Sequence, residues 1–314
     1  MNRALFPRRL ILLPLLFLIA LGLFNLRALN EGIFSYLRDA LAYSSAPITS
    51  INPLGRYASL YGLVRLRNAD RYRFLAAQLE ALPITVQKIS IPQSSNPNLF
   101  ISFDQNAPLT IFVAHYDKWY DDIAYQGASD NSAAVSVMLA VAREWARRGN
   151  AANRAILFTS EEERGLRGAT AFLEFARANN LMIREFINFD NIGRGKLAAR
   201  PLAELPGFSF WLPFIGALTY TGVELRVTAP YARANARLVE LLRRAQPNLI
   251  VYENFTALGD ANIFQANGYD AVMISGDDMY YLQQTWHTYA DRIELLDERN
   301  LDAAHKVIVD YNER

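Results

Sequence analysis

Leu109-Thr110-Ile111-Phe112-Val113-Ala114-His115-Tyr116-Asp117 is the stretch on which the fold turns. Its first six residues are apolar on both faces and too few for a helix, which predicts a strand buried from both sides. The same pattern repeats downstream. Residues 132–147 place Ala134, Met138, Val141 and Trp145 on one helical face. Residues 155–159 form another apolar run, and 169–178 read as a helix, 186–189 as a strand and 232–245 as a helix. Two more strands, 249–252 and 271–275, precede a final helix, 296–309. Upstream, Tyr72, Leu75, Leu79 and Leu82 are spaced helically over 68–82, and Pro83 acts as a stop. Residues 85–91 and 98–103 read as extended. Strands alternating with helices predict an α/β sandwich around a largely parallel sheet, whose ligands gather at the C-terminal edge of the strands.

Composition narrows the chemistry. With 52% hydrophobic residues in a chain of 314, there is apolar material for a large core. A formal charge of +1 excludes the basic field on which nucleic-acid binding depends, so no nucleic-acid partner is expected. The chain has no cysteine, so thiolate nucleophiles, iron–sulfur clusters and Cys-ligated zinc are excluded, and any metal must be held by nitrogen and oxygen.

Arg3, Arg8 and Arg9 precede an apolar run over 10–24, with Arg27 beyond it. This reads as an N-terminal membrane helix or signal anchor, 1–30, that leaves the rest of the chain outside the cytoplasm, periplasmic or extracellular. Without the four arginines of that segment, 28 basic groups face 31 acidic ones, about −3. Residues 31–59, with a short helix over 34–43 and then a Ser/Pro-rich stretch, read as a tether. No repeat or linker divides 60–314, which reads as one catalytic domain.

Several acids and histidines fall just after the expected strands. His115 and Asp117 end the first, Asp130 precedes the helix at 132, Glu161, Glu162 and Glu163 follow 155–159, and Asp190 follows 186–189. His287 lies beyond the last strand. Singly, each has a plain explanation: a helix N-cap for Asp130, a solvated charge run for the glutamates, turn chemistry for Asp190-Asn191-Gly193. Together they carry two of the chain's three histidines to one sheet edge. Imidazoles and carboxylates, one of them bridging, are what two adjacent zinc ions require in a protein without thiolates. Asp117 is placed to orient His115. His305 sits within the last helix and receives no role. Trp119, Tyr120 and Trp286 flank these segments, either lining an apolar pocket or packing in the core.

In Ala114-His115-Tyr116-Asp117, Gly127-Ala128-Ser129-Asp130-Asn131, Glu162-Glu163-Arg164-Gly165-Leu166-Arg167-Gly168, Phe189-Asp190-Asn191-Ile192-Gly193, Gly259-Asp260 and His287-Thr288-Tyr289-Ala290-Asp291, the chain resembles family twenty-eight of the metallopeptidases, the di-zinc aminopeptidases. The resemblance covers about 60–314. It implies a three-layer sandwich around a mixed sheet and a zinc-dependent hydrolase that removes N-terminal amino acids from peptides. His115, Asp130 and Asp190 would then hold one Zn²⁺, with Asp130 bridging to a second held by Glu163 and His287. Counting back from Gly165, Glu162 would be the general base and Glu163 the ligand, leaving Glu161 without a role. The roles must differ, since a ligating carboxylate is committed to its metal.

Two positions depart from the family. Ala261 follows Asp260 where relatives often carry histidine, and Thr256 stands near the point where some place a tyrosine. Glutaminyl cyclase, a one-zinc relative, shares the His115-Tyr116-Asp117 and Trp286-His287-Thr288 segments, and its zinc would use Asp130, Glu163 and His287. The Gly165-Leu166-Arg167-Gly168 run favours the peptidases. A third alternative, an inactive ectodomain serving protein interaction, would have shed ligands that this chain keeps.

Overall fold

The computed structural model describes residues 35–103, 107–149, 151–200, 202, 208–213, 222–227, 235–252 and 257–311. Its strands are β1 (Gln87–Ile89), β2 (Asn98–Ser102), β3 (Leu109–His115), β4 (Arg154–Thr159), β5 (Ile183–Phe189), β6 (Leu197–Arg200), β7 (Phe208–Pro213), β8 (Gly222–Val227), β9 (Ile250–Val251) and β10 (Asp270–Gly276). Eight of them form one sheet in the order β1-β2-β4-β3-β5-β10-β6-β9, while β7 and β8 pair only with each other. Four central strands, β4, β3, β5 and β10, are mutually parallel; β1 and β2, β2 and β4, and β6 and β10 pair antiparallel. The sheet is therefore mixed, with its parallel part at the centre.

All seven residues of β3 are buried, as its unbroken apolar run predicts. Alternate residues feed two cores. Phe112, Ala114, Ile156, Phe158, Ile187 and Phe189 face Met138, Val141 and Trp145 together with Leu301 and Ile308. Ile111, Val113, Leu157 and Phe186 face Ala169, Phe172 and Phe264. Each fully buried Ile, Leu, Val, Met or Phe among them contributes about 1.5–3 kcal/mol. This double-sided burial makes the edge where β3, β4 and β5 end a rigid platform.

The helices are α1 (Ser35–Tyr43), α2 (Ser59–Leu63), α3 (Asn68–Glu80), α4 (Ala133–Arg148), α5 (Arg167–Ala178), α6 (Ala236–Ala245), α7 (Asp260–Ala266), α8 (Met279–Thr285) and α9 (Glu298–Asp310). The extended run expected over 85–91 pairs only over β1, and residues 232–234 of the helix expected over 232–245 lie outside the described residues. The apolar run 10–24 also lies outside them, and among the described residues no helix is long and apolar enough to cross a membrane.

The described part of 31–59 is docked on the domain. Asp39 is fully buried and accepts from the Met279 amide at 2.9 Å, and the Tyr43 hydroxyl donates to Asp277 at 2.9 Å. Ile51 and Tyr57 join the core. A chain begun at residue 60 would bare these partners, so it is expected to melt several degrees below one begun at residue 35. Differential scanning calorimetry of the two checks this.

Candidate metal centre

β3 ends in His115, β4 leads into Glu161-Glu162-Glu163, and β5 leads into Asp190, so three parallel neighbours deliver side chains to one edge. Asp130 arrives from the loop ahead of α4. It does not cap that helix: the cap position is Ser132, whose hydroxyl donates to the Gly127 carbonyl and accepts from Arg71 Nη2 at 2.6 Å. Gly127 makes the turn possible. Its φ is +54°, and a Cβ there would lie 2.6 Å from the Asp130 carbonyl oxygen. His287 comes from the turn after α8.

All five expected ligand residues meet. His115 Nε2 lies 3.1 Å from Asp130 Oδ1 and 3.4 Å from Asp190 Oδ1. His287 Nε2 lies 3.3 Å from Asp130 Oδ2 and 3.1 Å from Glu163 Oε2. Asp130 thus presents one oxygen to each histidine. Glu163 Oε1 is buried with no hydrogen-bond partner among the described residues. Such an orphan acceptor and a carboxylate divided between two imidazoles fit divalent cations, and a donor set of nitrogen and oxygen fits zinc.

Asp117 does more than face His115, whose Nδ1 lies 3.5 Å from its carboxylate and 3.2 Å from its carbonyl. The same carboxylate accepts from the amides of Glu162 at 3.3 Å and Glu163 at 3.2 Å, tying one histidine to the glutamate turn. Glu161 points away. It accepts from Ser94 Oγ at 2.6 Å and pairs with Arg167 at 3.1 Å. Glu161→Gln is therefore expected to cost about 0.5–1.5 kcal/mol of stability, the worth of one hydrogen bond, and to leave metal content unchanged. Urea denaturation alongside metal analysis checks this.

Three residues without an expected role also belong here. Asp260, buried and bonded by the Thr159 hydroxyl, leads α7 into the site. Asp291 accepts from the amides of Ser129 at 2.8 Å and Asp130 at 3.0 Å and from the Tyr281 hydroxyl at 3.1 Å, fixing the backbone that carries Asp130. Arg71, with no exposed surface, is a buried positive charge behind the carboxylates. Asp260 and Asp291 stand inside quoted segments but no single-residue signal marks them. Arg71 shows only as a cation on the apolar side of a helix.

Electrostatics follow from this crowding. Burial, with Asp130 alongside, pushes Glu163 up to about 7, and burial pushes Asp260 and Asp291 up to about 7 as well. Glu162 is raised well above its ordinary value by burial and by Asp190, Asp260 and Glu163, which outweigh the pull of His115. Burial works against charge on His287, but its hydrogen bonds to Asp130 and Glu163 outweigh that and raise it to about 9. For Asp130 burial is likewise outweighed, and the two histidines hold it well below the usual range.

A carboxyl raised from about 4 to about 7 destabilises the fold as pH rises through that window, and a histidine raised to about 9 loses its stabilisation as pH rises from about 6.5 to 9. Chelator-treated protein is expected to melt progressively lower from pH 5 to pH 9. Zinc, replacing protons with its own charge, is expected to flatten that slope. Melting curves at pH 5, 7 and 9 with and without zinc check both.

The family model of Peptidase family M28 matches residues 98–312. The chain belongs to this family. Its M28 fold is also that of solved structures at low identity. The LapA aminopeptidase of Legionella pneumophila aligns at 14% identity and a TM-score of 0.63 over 82% of this chain and 69% of that one. A Zn-dependent exopeptidase from Parabacteroides distasonis aligns at 18% and 0.61, covering 85% and 100%. A glutaminyl cyclase from Bacteroides thetaiotaomicron aligns at 15% and 0.60, covering 85% and 100%. No curated protein matches the sequence. M28-type chains of this shape thus include both aminopeptidases and cyclases.

Proposed function

We propose that this M28 member is a zinc-dependent aminopeptidase, acting on peptides and using two zinc ions. The observation that carries the reading is Asp130, whose two oxygens face different histidines, each with a further carboxylate, Asp190 or Glu163, beside it. When bound, a metal pair supplies an acidified water and polarises the peptide carbonyl. Glu162 is left for the proton: it takes one from water and returns it to the leaving amine. Asp117 holds the glutamate turn so that Glu162 and Glu163 keep separate roles.

The cyclase reading is favoured by Trp286 directly before His287 and needs only Asp130, Glu163 and His287. Mass spectrometry of peptides with N-terminal glutamine separates the two. Release of a free amino acid is the expected result; loss of ammonia with a pyroglutamyl product would overturn the aminopeptidase reading. A panel of aminoacyl amides then defines side-chain preference. The arginine-flanked run 10–24 supports anchorage in a membrane with the domain outside the cytoplasm. Protease treatment of intact cells tests this, digestion of the domain being expected and protection refuting the orientation.

A further inference from the structure

The two histidines of the site are held in different ways. His115 is 1% exposed and its Nδ1 is oriented by Asp117, the usual arrangement for an imidazole that ligates through its other nitrogen. His287 is 22% exposed, and among the described residues its Nδ1 has no hydrogen-bond partner. Its φ is +53°, a conformation that a non-glycine residue keeps only when its surroundings hold it there. What surrounds it is aromatic. The Trp119 ring lies parallel to the imidazole, centroids 4.0 Å apart and planes inclined by 11°, and the Trp286 ring contacts it at 4.4 Å.

Trp119 is itself part of a braced loop. The neighbouring Lys118 is buried; its Nζ donates to the carbonyls of Asp122 at 2.7 Å and Tyr125 at 2.6 Å, and its amide donates to Asn68 Oδ1 at 2.9 Å. Tyr120 meets Trp119 edge to face at 6.4 Å and stacks on Tyr289 at 5.5 Å, whose hydroxyl reaches Asp122 at 3.0 Å. Asp117, two residues away, ties the same loop to His115 and the glutamates. The loop therefore reaches one histidine by hydrogen bonding and the other by stacking.

We propose that Trp119 is a positioning residue for His287, its stacked ring doing for that imidazole what Asp117 does for His115, so that metal affinity at the Asp130–Glu163–His287 position depends on an aromatic ring at 119. The inference rests on the metal-centre reading above. It concerns a position that both the two-zinc and the one-zinc readings occupy.

The test is cobalt and zinc titration of the full-length chain, following the visible absorption of cobalt and zinc uptake by competition with a chelating dye. Trp119→Ala is expected to weaken one binding step about 10–100-fold, the range for losing a group that orients a metal ligand, and to leave any other step unchanged. Trp119→Phe, which keeps a flat ring, is expected to recover most of the affinity, and Trp119→Leu, similar in bulk but not flat, to recover little. Circular dichroism verifies folding, and the Phe and Leu variants carry the comparison should the Ala variant fail to fold. Unchanged affinity in Trp119→Ala, or equal recovery by Leu and Phe, would overturn the proposal, even if KM for peptides rises because the exposed ring also touches substrate. A wild-type chain that takes up one metal sinks the two-metal reading and leaves this proposal to be judged by the variants; one that takes up none overturns both.

Discussion

Replacing Glu162 by glutamine is expected to lower kcat by about a hundredfold or more while zinc content stays at the wild-type level. Glutamine keeps the shape of the side chain but cannot accept a proton. Glu163→Gln, one residue on, is expected to behave differently, losing or weakening one zinc and recovering part of its activity when zinc is added. The contrast follows from geometry: Glu163 Oε2 lies 3.1 Å from His287 Nε2, while its Oε1 has no partner among the described residues. Zinc analysis and kcat for the two variants decide it. Metal loss in Glu162→Gln with full retention in Glu163→Gln would mean that the roles are reversed. Glu161, engaged with Ser94 and Arg167, is already removed from that contest.

Asp130→Asn is expected to empty both metal positions. Asparagine offers one carbonyl oxygen and an amide that repels cations, whereas Asp130 now faces His115 with Oδ1 at 3.1 Å and His287 with Oδ2 at 3.3 Å. After dialysis the variant should hold well under one zinc per chain, and kcat/KM should fall by three orders of magnitude or more, roughly the loss of metal-assisted catalysis as a whole. Asp190→Asn supplies the control. Of the two histidines, Asp190 stands beside His115, at 3.4 Å, and not beside His287, so its replacement should remove one zinc of two. If Asp190→Asn leaves both metal content and turnover as they were, a single zinc at Glu163 and His287 suffices and the cyclase reading gains.

The strand–helix alternation was legible because its physical cause is local. β3, β4 and β10 are apolar in sequence since both of their faces are buried, and α4 and α9 carry their core residues at helical spacing. β6 escaped notice because Leu197-Ala198-Ala199-Arg200 is short and built of small residues; only its pairing with β10 on one side and β9 on the other makes it a strand. α7 and α8 escaped for a similar reason, each being seven residues long and stabilised chiefly by what it packs against. Residues 31–59 read as a tether because their Ser/Pro-rich stretch suggests exposure, yet in the described part the burial of Asp39, Ile51 and Tyr57 depends on partners more than two hundred positions away or in the distant core.

At the site, the identity of the acids and histidines and their places after strands were set by the sequence, since a residue that ends a parallel strand can only emerge at that edge. The division of labour was not. That Asp130 shares its oxygens between two histidines, that Glu161 turns outward, that Asp291 holds the Asp130 backbone, and that Trp119 lies on His287 are relations between side chains from separate elements. The linear pattern fixes which faces of the chain are apolar and where each strand ends. Distances of 3 to 4 Å between groups 150 residues apart are fixed only when those faces have packed, because close packing, not local propensity, sets the final position of a side chain.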